Sequence, residues 1–143
     1  LFASFGACLT VTPGLPDILD RLALPAVIGT SSTPARAELA LRVCTLWDRF
    51  AGRVCTASEV PHGKPAPDLF LRAAERGGAA PDECLVIEDS APGLLAAAAA
   101  GMRSVLYLGG AHHEGCGWDG PAPSEGSIAH WSELDAVAPG LTA

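Results

Sequence analysis

His62-Gly63-Lys64-Pro65-Ala66-Pro67-Asp68 and Leu85-Val86-Ile87-Glu88-Asp89-Ser90 decide how this chain reads. The first stretch places a lysine just ahead of a helix that opens at Pro67-Asp68. The second ends an apolar run in two adjacent carboxylates. One helical segment and one turn separate them. An ammonium and a carboxylate pair at one sheet edge supply what a phosphate-handling site needs: positive charge for the anion and oxygen ligands for a divalent cation.

Working outward, apolar strands alternate with helical stretches. Pro25-Ala26-Val27-Ile28-Gly29 reads as a buried strand that breaks into Thr30-Ser31-Ser32-Thr33. Pro34 starts a helix with Leu39, Val43, Leu46 and Trp47 as one apolar stripe. That strand end has two readings: an anion seat of free N–H groups and hydroxyls, or a plain helix cap by Ser32 or Thr33. Arg53-Val54-Cys55-Thr56-Ala57 is a second strand, and residues 58–63 are a loop. The helix after Pro67 turns Leu69, Phe70, Ala73 and Ala74 inward and stops at Gly77-Gly78. Cys84-Leu85-Val86-Ile87 has the continuous apolar run of a parallel strand buried on both faces. Ser90-Ala91-Pro92-Gly93 opens an alanine-rich helix that Gly101 closes, and residues 103–108 form a fourth strand. Pro16 opens a short helix upstream, with Ile18, Leu19 and Leu22. Downstream, a polar, glycine-rich stretch leads to a short strand and helix over residues 127–134. The alternation specifies an α/β fold, a parallel sheet with helices on both faces.

Composition excludes several classes. With 143 residues and 49% hydrophobic content, the chain can bury the core of one domain. No apolar run approaches the roughly 20 residues that span a bilayer, so no membrane partner is expected. The net charge of −7 opposes non-specific nucleic-acid binding. Arginine supplies every basic side chain but Lys64. Five scattered cysteines, an odd number without C-x-x-C, read as free thiols in a reducing cytoplasm. Residues 1–11 are apolar without a basic leader or an initiator Met, which suggests a piece of something longer.

In parallel sheets ligands bind beyond the carboxyl ends of the strands. Thr30, Glu88 and Asp89 fall at that edge, and Lys64 lies in a loop rising over it. Adjacent acids ending a buried strand are costly unless a cation compensates them. Mg²⁺ suits such a place beside phosphate. The alternative is that one acid caps the following helix and the other is solvated. His112 and His113 read as a solvated loop. A metal site from His112, His113 and Cys116 fits no strong ligand spacing.

G-K-P-x-P-D at 63–68, V-I-E-D-S-x-x-G at 86–93 and A-A-x-A-G-M at 97–102 together resemble the haloacid dehalogenase (HAD) superfamily. Within it they resemble subfamily I, the branch of sugar-phosphate phosphatases and phosphomutases with a helical cap. The resemblance covers residues 13–110. It implies a Rossmann-like core, Mg²⁺ as cofactor, and hydrolysis of a small phosphorylated metabolite, a sugar phosphate, through an aspartyl-phosphate. It assigns Thr30 and the Ser31 N–H to the phosphate oxygens. It makes Lys64 the catalytic lysine holding nucleophile and phosphate together, Asp89 a Mg²⁺ ligand, and Glu88 a ligand or its support. It also offers His112 and His113 a substrate-facing loop. A receiver-like signalling domain is disfavoured, because there the acid pair precedes the lysine.

The chain departs from the family at its first motif. D-x-D-x-[TV] is absent, and no two aspartates are separated by one residue. The nucleophile, the first central strand and most of the cap are therefore expected outside these residues. Residues 1–12 are expected to be a cap remnant or a segment refilling the lost strand, 13–110 the core, and 111–143 a loop with the closing strand and helix. The alternative is a catalytically inactive remnant that binds Mg²⁺ and phosphate weakly.

Overall fold

The computed structural model describes residues 9–115 and 117–142. Cys116 and residues 1–8 lie outside the described residues, and with them most of the segment expected to refill a strand. Residues 9–12 form no strand.

The elements follow the local chemistry. Helix α1 is Leu15–Arg21, with a proline in its first turn. Strand β1 is Ile28–Thr30. Helix α2, Pro34–Val43, is capped by Thr33, whose side chain accepts from Arg36 N, so the plain-cap reading holds for Thr33. A separate short helix, α3, is Trp47–Phe50. The stripe from Leu39 to Trp47 had suggested one continuous helix. The structure breaks it at Thr45, which takes a left-handed φ of 57°. Phe50, not Leu46 or Trp47, is the residue that the new turn buries.

Strand β2, Val54–Thr56, runs into a 3₁₀ turn over Ala57–Glu59. Helix α4 is Asp68–Gly77, and Gly78 ends it at a φ of 72°, donating back to Ala74 and Glu75 carbonyls. Strand β3 is Leu85–Glu88, α5 is Ala91–Ala99 and β4 is Arg103–Tyr107. Strand β5, Gly126–Ile128, and helix α6, Leu134–Val137, close the fold. No helix among the described residues is long and apolar enough to cross a membrane.

All the strand ladders are parallel, as an α/β chain requires. Among the described residues they form two separate sets, not the one expected sheet: β1-β2, and β3-β4-β5. No described strand pairs with both β1 and β3. Helices join what the strands do not. Helix α4 packs on β1 and β2, α5 packs on β3 and β4, and the two helices touch. One cluster, holding Phe70, Ala74, Val86, Ala97 and Met102, lies between α4, α5 and β3. A second, with Ile18, Val105, Tyr107, Ile128 and Leu134, lies under α1 and α6. Val86 and Val105 fall in different clusters, so the sheet has helices on both faces.

Candidate functional site

Strand alternation places the two acids differently. Glu88 is two residues beyond the buried Val86, so it points to the same face, toward α5. Only 9% of its side chain is exposed. Asp89 lies past the last strand residue, with half its side chain in solvent.

Glu88 is saturated with partners. Its Oε1 accepts from Lys64 Nζ. Its Oε2 accepts from Ser90 Oγ at 2.8 Å and from the N–H groups of Asp89 and Ser90, each at 3.2 Å. Burial of this ion pair is tolerable because charge and lone pairs are both met. The alternative reading, an acid cap on α5, is not what forms. Ser90 caps the helix, accepting from Gly93 N at 3.2 Å. Gly93 has its own reason: a Cβ there would overlap the Glu88 carboxylate. The glycine in V-I-E-D-S-x-x-G is thus the space into which the glutamate folds.

Lys64 follows the turn after β2 and precedes a cis peptide to Pro65. Its ammonium also donates to the Gly29 carbonyl at 3.3 Å and sits 4.7 Å from the centre of the Phe70 ring. Phe70 can lie there because residue 29 is glycine; a Cβ would come within 3.2 Å of its ring. Lys64 therefore joins the C-terminal end of β1 to that of β3. Thr30 ends β1, and its Oγ1 accepts from Ser32 N at 3.1 Å, closing the hydroxyl turn that exposes Ser31. The structure brings Lys64 and Glu88 into contact, with Thr30 and Ser31 next along the chain from Gly29 and Asp89 next from Glu88.

His112 and His113 are more than solvated loop. His113 Nε2 lies 2.9 Å from the Asp89 carbonyl oxygen and His112 Nε2 3.4 Å from it. Sequence reading missed this contact because 23 and 24 residues separate the partners. Beneath the neighbouring strand, Glu59 accepts from Arg76 and from Thr56 N. Those hydrogen bonds, the Arg76 one foremost, hold the Glu59 carboxyl below its ordinary range. Burial pushes the Cys55 thiol up.

Among the described residues no three His, Cys, Asp or Glu side chains converge on one metal position. The acids still differ in fitness for a cation. Glu88 has both oxygens engaged, whereas Asp89 presents a carboxylate with room. One carboxylate completed by waters and phosphate oxygens is a common share of a Mg²⁺ site, and Asp89 fits that share.

The site is thus a lysine braced at the strand ends of a parallel α/β core. The haloacid dehalogenase-like hydrolase family matches residues 1–101, and the chain belongs to it. A HAD family hydrolase from Deinococcus radiodurans R1, solved with bound phosphate and sodium, superposes with a TM-score of 0.82 at 31% identity. The match covers 99% of this chain and 66% of that one. Fructose-1-phosphate phosphatase YqaB of Escherichia coli is 46% identical over 81 residues, 57% of this chain and 43% of its own length. A probable pseudouridine-5'-phosphatase of Drosophila melanogaster is 42% identical over 102 residues, 66% of this chain and 44% of its own. The chain spans under half the length of both curated relatives.

Proposed function

We propose that this chain carries the phosphate-facing core of a Mg²⁺-dependent phosphatase for a small phosphorylated metabolite, a sugar phosphate. The observation that supports it most is Lys64, held by Glu88 and Gly29 where two strands end. Two relatives, a fructose-1-phosphate phosphatase and a hexitol phosphatase of Escherichia coli, agree in substrate class. Residues 13–110 form the core on this reading, and 111–143 its closing loop, strand and helix. The net charge of −7 sets nucleic acid aside as substrate, and the free Cys44, Cys55 and Cys84 suit a reducing cytoplasm.

The roles follow from placement. Lys64 supplies fixed positive charge, and Glu88 keeps its ammonium oriented. The Thr30 hydroxyl and the Ser31 N–H donate hydrogen bonds to the remaining phosphate oxygens. Asp89 would hold the divalent cation, which would supply positive charge to the phosphoryl oxygens. Preorganised charge of this kind is the main demand of phosphoryl transfer. The aspartate that would take the phosphoryl group is not among these 143 residues, in which no D-x-D occurs. That absence also favours a second reading, a non-catalytic remnant that binds Mg²⁺ and phosphate weakly. An in-frame D-x-D-x-[TV] upstream in the gene supports the enzyme, and a start codon directly before Leu1 supports the remnant.

Calorimetric titration of the chain with Mg²⁺ and inorganic phosphate tests the shared part of both readings. Lys64→Ala should lose phosphate binding, and Asp89→Asn should lose Mg²⁺ binding. Wild-type binding in either variant removes that assignment. Turnover of a sugar phosphate by these residues alone would overturn the external nucleophile.

A further inference from the structure

The peptide group joining Asp89 to Ser90 is held from both sides. Its N–H donates to Glu88 Oε2 at 3.2 Å. Its carbonyl oxygen faces His113 Nε2 at 2.9 Å and His112 Nε2 at 3.4 Å. This carbonyl lies one residue past the last β3 pairing, Glu88 with Leu106, so no ladder partner takes it. A carbonyl has two lone pairs and can accept from both rings, provided each carries its proton on Nε2.

The imidazoles make further contacts, although 55% of the His112 side chain is exposed. Their centroids are 4.0 Å apart, and His113 meets the Trp118 ring edge-on at 5.8 Å. Trp118 is fixed by its own bond to the Pro121 carbonyl, at 3.0 Å. The backbone N–H of His113 donates to Gly110 O at 2.9 Å. A Cβ at residue 110 would come within 2.8 Å of the His112 ring, so the glycine makes room for it. His112 Nε2 also lies 3.6 Å from Asp89 Oδ2.

We propose that His113, with His112 beside it, is a positioning residue for Asp89: by holding the Asp89–Ser90 peptide plane it aims the Asp89 carboxylate. The preceding peptide is held by the Asp89 N–H on Glu88 Oε2 at 3.2 Å, so fixing the following plane as well sets the direction in which the Asp89 Cα–Cβ bond leaves the backbone. The same plane keeps the Ser90 N–H on Glu88, so the loop after β4 is tied through one peptide group to the lysine. The cation part of this role rests on the reading of Asp89 given above.

Two measurements on the 143-residue chain test it. In NMR, both imidazoles should show the Nε2–H form, and the Asp89 carbonyl carbon should shift upfield in His113→Ala and further in the His112→Ala/His113→Ala double variant. Mn²⁺, titrated as a paramagnetic stand-in, should bind about tenfold more weakly in His113→Ala, as for loss of an outer partner of a metal ligand. His113→Gln, which keeps a donor, should regain most of that loss. A carbonyl signal unmoved in the double variant overturns the clamp. So does wild-type Mn²⁺ affinity in His113→Ala when Asp89→Asn abolishes binding. Wild-type affinity in Asp89→Asn overturns the cation reading and the positioning role together, and that arm tells the two failures apart.

Discussion

Lys64 donates to Glu88 across the junction between two strand ladders, with both side chains about nine-tenths buried. Among the described residues neither ladder supplies a strand to the other, so this pair and the α4–α5 packing are among the contacts that join them. An ion pair in that position organises the site and is also a structural joint.

Breaking one half should therefore cost more than the charge alone. Removing one partner of a buried pair leaves an uncompensated charge and costs about 3–5 kcal/mol. Lys64→Met and Glu88→Gln should each lower the urea midpoint strongly. The double variant should lose less than the sum by at least ~1 kcal/mol, since it strands no charge. Strict additivity in the unfolding curves would show that the pair does not couple.

Gly93→Ala should destabilise, against the usual sign. In an ordinary helix interior, alanine for glycine gains about 1 kcal/mol. Here the added Cβ would overlap the Glu88 carboxylate, which cannot retreat without leaving Lys64. A net loss of about 1–3 kcal/mol is expected, the ordinary cost of overpacking. A raised thermal midpoint would show that Glu88 has another place to go.

Glu59 should shape the acid limb of stability. Its carboxyl is lowered by the Arg76 hydrogen bond first and then by the Thr56 N–H. A lowered folded-state value means a contribution fully present above the unfolded carboxyl range. It is lost as pH falls through the folded value. Wild type and Glu59→Gln should differ most near pH 7 and converge at the acid end of a denaturation series. A constant gap across the series would assign the effect to packing.

Cys55 should be the slowest of the three described thiols. It has no exposed surface, and burial raises its pKa; Cys44 and Cys84 are raised by burial but partly exposed. Against a disulfide reagent in native buffer, Cys44 and Cys84 should react first and Cys55 only on opening. Equal rates for the three would mean that β2 is open in solution.

Much of this was legible in the chain, and for traceable reasons. Ser90-Ala91-Pro92 announced the start of α5 because a hydroxyl cap and an early proline are local signals. Gly77-Gly78 announced the end of α4 in the same way. The break at Thr45 had no such signal: neither glycine nor proline marks it, and the apolar stripe runs straight through. The different fates of Glu88 and Asp89 were readable from strand parity with Val86, although the pair first reads as one cation-binding unit. The division into two ladders and the imidazoles on the Asp89 carbonyl depend on contacts distant in sequence, which no window of residues contains.

Lys64 is the only lysine in these 143 residues, and one tenth of its side chain is exposed. An amine-directed acylating reagent therefore has a single ε-amine to find here, and reaches it when the junction parts. Its rate of modification is a clock for the breathing of the site, readable before any substrate is known.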